Sequence, residues 1–417
     1  MREMKNSHIP FCDTIPENWN EMPNKYLFSE HSSKVGSEHS KYQLLSLTKN
    51  GVKEKDINAS GGKVPDSYEN YQTVTSGDMI FCLFDLDCSA VFSGLSNYNG
   101  MITSAYDVLK PNDKYIDAHF VDYWFQYVFS NRYYKMFSKN IRYTVTSEMF
   151  GSIYTPVPDI STQQKIGAIL DKKAIQIDTL IANQETQIEK LKQYKQSLIT
   201  EVVTKGLNPN SEMKVSGVEW IGNIPKSWDV VKTGRLFKEN NRKPFGNDTP
   251  LSLSQVDGLV ATDDMKESSL KTSTYENWKR VEMGDLVLNR FKAHLGVLFA
   301  ATLTGIVSFH YGVYEARMSL IPKYYEYLYH SEQYRAILGT ASNGMVVGLQ
   351  NLSNLNFYST YSLYPSFDEQ KIIVSYLDEQ CSKIDKLIEI KQSKIAKLNE
   401  YKKSLIYEYV TGKKEVV

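Results

Sequence analysis

An α+β fold is predicted: two mixed α/β domains in pseudo-twofold arrangement, separated by two long antiparallel coiled-coil helices. Three observations predict it. The chain repeats itself at a period of 207 residues, because Gln163–Thr204 lies without a gap on Gln370–Thr411. Each copy ends in a sustained heptad pattern, and each is preceded by short strand-like runs between turn residues. Self-similarity at a fixed period speaks to architecture before any single motif does. Two copies at so long a period mean a duplicated domain followed each time by the same helix. The expected divisions are 1–160, 161–206, 207–365 and 366–417.

The first domain opens on MKNSHIPFCDTIPENW (Met4–Trp19), which aligns with MKVSGVEWIGNIPKSW (Met213–Trp228) of the second. Leu27-Phe28 matches Leu236-Phe237, Leu45-Ser46-Leu47 matches Leu251-Ser252-Leu253, and Gly77-Asp78 matches Gly284-Asp285. The offset drifts between these pairs, so the domains share a scaffold while their loops differ. Strands are read at YQLLSLT, DMIFCLF and SAVFSGL, and again at TPLSLS, DLVLNRF, GVLFAATL and RMSLIP, each bounded by Gly, Asn, Asp or Pro. Tyr- and Phe-rich helical patterns follow at Ile116–Ser138 and Tyr324–Leu338. Each sheet is expected to be curved and largely antiparallel.

The two long segments carry apolar residues at heptad positions a and d. Leu170, Ile177, Ile181, Ile188, Leu191 and Leu198 line the first seam, and Leu377, Ile384, Ile388, Ile395, Leu398 and Leu405 line the second. Polar residues interrupt both at the same two places, Gln184/Lys391 and Lys195/Lys402. A polar seam residue costs stability but disfavours other registers. Identical interruptions favour burial of one seam against the other within the chain. About 40 residues at ~1.5 Å each make a rod of roughly 60 Å.

Bulk composition excludes more than it selects. Lys+Arg and Asp+Glu balance at 48 each. Residues 1–160 hold 15 basic and 19 acidic side chains, and 208–365 hold 16 and 15. Such balance counts against a strongly basic nucleic-acid surface unless charge is clustered. Cys12, Cys82, Cys88 and Cys381 show no ligand spacing, and no apolar run is long enough to span a membrane, so a reduced, cytoplasmic protein without membrane attachment is expected. No Walker A loop, GxGxxG, HExxH or GxSxG occurs. Asp85, Asp87, Asp263 and Asp264 read as solvated loop residues rather than metal ligands, and the seven histidines lack Cys or Ser partners. No catalytic, cofactor-binding or metal-binding residue is expected in this chain.

The junction VTKGLNPNSEMKVSGVEWIGNIPKSW (Val203–Trp228), the QQKI…LD start of the first long helix and the ending YEYVTGKK resemble the specificity subunit of type I restriction–modification systems. In the first copy SHIPFCDTIPENW stands where the second has GVEWIGNIPKSW, a departure from the pattern. The resemblance implies two target-recognition domains, each reading one half of a split, asymmetric double-stranded DNA site, with the paired helices setting the gap. It implies as partners two methyltransferase (modification) subunits and restriction/translocase subunits. S-adenosylmethionine, Mg and ATP would then be bound by those partners, none of them by this chain. A rod of about 60 Å would exceed one turn of DNA, about 34–36 Å.

Base readout needs Arg, Lys, Asn or Gln on loops or helix ends. In the second domain the candidates are Arg242 and Lys243; Asn289, Arg290, Lys292 and His294 in NRFKAH; and Asn343 and Gln350 in the Gly-rich SNGMVVGLQN. Their expected first-domain counterparts are Lys34, then Lys49 and Asn50, then Lys139, Asn140, Arg142 and Tyr143 in KNIRYT. Two other readings remain open: the recognition subunit of a related system whose partner fuses nuclease and methyltransferase, and a coiled-coil scaffold joining two protein-binding domains.

Overall fold

The computed structural model describes residues 3–49, 51–56, 67–86, 91–138, 142–255, 257–265, 275, 277–342 and 351–416. Of the sequence candidates, Asn50, Lys139, Asn140, Asn343 and Gln350, together with Asp87 and Cys88, lie outside the described residues. The chain divides into two compact units, Met1–Gln184 with Gln392–Val417, and Glu185–Lys391. Both boundaries fall at the polar seam positions Gln184 and Lys391. The division therefore differs from 1–160, 161–206, 207–365 and 366–417, because it cuts each long helix in half. Each half buries its seam in the core of a different unit.

In the first unit a four-stranded antiparallel sheet runs in the order Phe28–Glu30, Asp107–Pro111, Met79–Phe81, Ser93–Leu95. The strand Met79–Phe81 is buried on both faces, as its unbroken apolar run requires. Met79 and Phe81 face a large core with Leu27, Phe28, Trp124 and Phe125. Ile80 faces a smaller core with Leu45, Leu47, Val52, Val74, Ile102 and Val108, supplied by the hairpin Leu45–Thr48/Gly51–Glu54 and the pair Gln72–Val74/Gly100–Ile102. Helix Ala118–Ser130 covers the large core, its N-terminus capped by Asp117, which accepts from the Phe120 N–H. It is shorter than the pattern Ile116–Ser138, ending at Asn131 before the left-handed Arg132 (φ 57°).

The second unit repeats this plan. Its sheet runs Phe237–Glu239, Tyr311–Ala316, Leu286–Asn289, Leu298–Ala300. Leu286 and Leu288 face one core and Val287 the other. Two sequence expectations fail here. RMSLIP is not a strand; the strand is the preceding Tyr311–Ala316. Arg317 makes the last bond to Leu236 O, after which the backbone leaves the sheet for Pro322, the first residue of helix Pro322–His330. The helical pattern Tyr324–Leu338 is broken at Ser331, whose extended backbone (φ −65°, ψ 149°) ends that helix and starts Glu332–Thr340.

The long helices span Ile160–Lys205 and Phe367–Val410, the second stopping short of 417. Within each unit their halves run antiparallel. In the first unit Leu170 and Ile177 share a core with Leu405, Tyr409 and Val410; in the second, Ile199 and Val202 share one with Leu377 and Cys381. All twelve seam residues named from the heptads are buried or half-buried, and most of their neighbours are exposed. The lysine interruptions Lys195 and Lys402 pair with carboxylates of the opposite helix. Lys402 donates to both carboxylate oxygens of Asp178 (2.8 Å each) in the first unit, and Lys195 to those of Asp385 (2.7 and 2.8 Å) in the second. These are the same two repeat positions with the helices exchanging roles.

Equivalent bonds tie each helix start to its own sheet domain. Gln163 accepts from the Asp117 N–H and donates to Pro158 O, and Gln370 accepts from the Ile321 N–H and donates to Pro365 O, all at 2.8–2.9 Å. Tyr123 donates to Asp171 (2.9 Å) and Tyr327 to Asp378 (2.6 Å). Each helix ends on a left-handed glycine, Gly206 (φ 76°) or Gly412 (φ 70°), closing against Pro225 and Trp228 or Pro16 and Trp19. The aligned Ile-Pro…Trp motif is thus the seat for the end of a long helix.

Candidate nucleic-acid interface

At the end of the central strand in the second unit, Asn289 accepts from the N–H groups of Phe291 (3.1 Å) and Lys292 (3.3 Å). This Asx-type cap folds Arg290–Leu295 into a short 3-10 turn closed by the left-handed Gly296. Arg290 turns inward. Its guanidinium reaches Glu239 (2.6 Å) and Asn354 (2.8 Å), Lys279 also binds Glu239 (2.7 Å), and Tyr314 donates to Asn354 (2.7 Å). Burial pushes the Glu239 carboxyl up, but the Lys279 hydrogen bond and the Arg290 charge outweigh it and hold it below its usual range. In this structure, then, the Arg290 guanidinium is held by an internal ion pair rather than presented outward.

Arg242 is engaged in the same manner. It binds Asp285 (2.5 Å) and Glu315 (3.1 Å) with only 24% of its side chain exposed. Asn289 is committed to its own turn, and His294 is half-buried with Nδ1 enclosed. Lys243 and Lys292 remain exposed, and beside Lys292 stands the exposed Phe291.

The first-unit candidates sort similarly. Lys34 is exposed beside a bridge to Gln72, and Lys49 is exposed in the turn of the hairpin Leu45–Thr48/Gly51–Glu54. Arg142 is exposed, 3.8 Å from Asp85, and Tyr143 is half-buried beneath the Lys135 ammonium at 4.3 Å. Within the described residues the counterpart of the Asn289–His294 turn is the segment 82–86, not Lys49 and Asn50. The Val145 N–H binds Leu83 O (2.8 Å) where the Leu352 N–H binds Arg290 O (3.0 Å), each pair 207 residues from the other. Lys49 stands 240 residues before Asn289, outside the 207-residue register that relates these loops.

Among the described residues, every non-glycine residue with left-handed backbone lies in one loop cluster of the first unit: Asp85 (φ 49°), Arg132 (φ 57°) and Tyr143 (φ 50°). Each costs on the order of 1–3 kcal/mol, and such strain concentrates at functional sites. Tyr134 ties this cluster together by donating to Leu86 O (3.0 Å). Sequence reasoning missed Lys135, Phe84 and Phe291, and also a cleft of about 630 Å³ in the first unit rimmed by Lys25, Lys110 and Lys114. Nothing in the spacing of these residues marked them, since only the fold brings them together.

Among the described residues no three His, Cys, Asp or Glu side chains gather as a metal site, and no helix is long and apolar enough to cross a membrane. Cys12, Cys82 and Cys381 are buried. What the described loops expose is a set of cations and aromatic rings.

No protein-family model matches this chain, and no curated protein does either. Solved structures do. A chain from a structure of the type I R-M system, described for its complex assembly and conformational transition, superposes with a TM-score of 0.68 at 13% identity, covering 95% of this chain and 98% of that one. The HsdS subunit from Thermoanaerobacter tengcongensis superposes at 0.50 and 14% identity with the same coverage. The type I S subunit from M. genitalium reaches 0.38 at 12% identity, with 97% of both chains covered. This chain shares the fold of the first two of these chains over 95% of its length.

Proposed function

We propose that this chain is the DNA-specificity subunit of a type I restriction–modification complex, a non-catalytic reader whose partners methylate and cut. The observation that carries the reading is the unequal repeat, now seen in three dimensions. Sheet order, helix-anchoring glutamines and seam ion pairs are kept in both units, whereas the loops at the central strands carry different side chains. A scaffold held constant beneath two differing loop sets suits the reading of two different half-sites. The fold likeness over 95% of the chain supports it. The even charge balance fits a subunit that supplies specificity while partners neutralise most of the DNA phosphates, since phosphate contacts dominate salt-dependent affinity.

Two modification subunits binding S-adenosylmethionine, and restriction subunits using ATP and Mg, complete the assembly in this reading, which places the protein in the cytoplasm. The fused nuclease–methyltransferase variant differs only in the partner. The scaffold reading gives no account of why strain is concentrated in one loop cluster. Co-expression with the neighbouring methyltransferase gene, followed by methylation-sensitive sequencing of the host, tests the proposal. A split, asymmetric adenine-methylation motif that disappears with this gene is the expected result. Unchanged methylation with an intact co-purified complex would overturn it.

A further inference from the structure

In both units a phenylalanine stands at the same address past the central strand, Phe84 and Phe291, 207 residues apart. Both are exposed, 36% and 40%. Each contacts the ring immediately preceding the long strand of its sheet. Phe84 stacks on Tyr106 (centroids 6.1 Å, 23°), and Phe291 meets His310 at 5.5 Å and 61°. Phe309, half exposed, adds a third ring 3.9 Å from His310. Side chains around these rings have diverged while the pairing persists. Lys292 follows Phe291 directly, whereas at the matching position Asp85 is paired with Arg142.

Exposed phenylalanines that stay paired on rigid supports call for a partner with flat apolar faces. The supports are rigid: main-chain bonds through Leu83 and Arg290 pin both segments. Exposed Lys292 beside Phe291 favours an anionic partner, and in the other unit Arg142, 80% exposed, lies 3.8 Å from the Asp85 that follows Phe84. Stacked base pairs between phosphates meet both demands, and inserted or stacked rings are a known way to hold and deform nucleic acid.

Resting on the specificity-subunit reading, we propose that Phe84 with Tyr106, and Phe291 with His310 and Phe309, are stacking wedges that press on base steps of duplex DNA, one in each unit. Each wedge reads the cost of deforming its step, a form of specificity that needs no hydrogen bond to a base edge.

The test uses the complex with its modification subunits and a duplex carrying the methylated motif, with 2-aminopurine placed in turn at non-target positions. Phe84→Leu and Phe291→Leu keep apolar bulk but cannot stack. Each is expected to weaken specific binding roughly tenfold and to quench the 2-aminopurine rise at one half-site only, leaving the salt dependence unchanged. Phe309→Ala, at a half-exposed ring, gives the same direction without touching the core. Leu variants that bind and fluoresce like the parent would overturn the wedges, as would variants that shed the modification subunit instead. Failure of the parent complex itself to bind any duplex specifically would sink the specificity reading and is separately visible.

Discussion

Arg290 and Lys292 stand two residues apart on one turn in opposite surroundings, the first ion-paired and mostly buried, the second exposed. Arg290→Met keeps the aliphatic stem but removes the guanidinium from Glu239, with side chains only 20% and 14% exposed and an N–O distance of 2.6 Å. Removing one partner of a buried pair costs about 3–5 kcal/mol. Glu239 keeps Lys279 at 2.7 Å, so a loss of about 2–3 kcal/mol is expected. For a unit of this size that is roughly 5–10 °C in Tm. Because the Glu239 carboxyl lies below its unfolded range in the folded state, its contribution is present above the ordinary carboxylate pKa. It is lost as pH falls through the lowered folded value. The gap between parent and variant should therefore close in acid. Lys292→Ala should leave stability within about 0.5 kcal/mol and lower the salt slope of DNA binding by about one. Urea unfolding across pH, with binding measured on the same samples, checks all of this. Arg290→Met protein that unfolds like the parent yet no longer binds DNA would refute the assignment.

Two further outcomes follow from buried groups. Burial pushes the Asp122 carboxyl up to about 6, one oxygen enclosed and the other held by Gln126 at 2.9 Å. The folded state thus takes up a proton the unfolded chain does not, and the first unit should gain about 1 kcal/mol on going from pH 7 to 5. Asp122→Asn should abolish that gain in denaturant midpoints. A Cβ at Gly412 would meet Pro16 Cγ at 2.3 Å, whereas one at Gly206 would come no nearer than 3.3 Å, to Glu369. Since both glycines are left-handed, Gly412→Ala should lower Tm clearly more than Gly206→Ala.

Periodicity is local, so much of the architecture was legible. The heptads named the seam residues that the helices bury, and the matched polar positions favoured burial of one seam against the other within the chain. The unbroken apolar runs in DMIFCLF and DLVLNRF located both central strands. RMSLIP misled because an apolar run before a proline looks the same whether it pairs or merely leads into a helix. Only the bond from Arg317 to Leu236 shows where the ladder ends.

The candidate site was less legible, because the chemistry of an arginine depends on what surrounds it. Arg242 and Arg290 were named as the scarce donors best suited to read bases, yet Asp285, Glu315 and Glu239 hold them from distant parts of the chain. Phe84 carries no motif, Phe291 was passed over inside NRFKAH, and the exposure of both is set by the fold. Sequence alone determined that the chain is a duplicated domain with a matching long helix after each copy, since repeat and heptad are properties of spacing. Tertiary structure decided which cations are spent on internal ion pairs and which rings face outward, because burial and pairing depend on residues far apart in the chain.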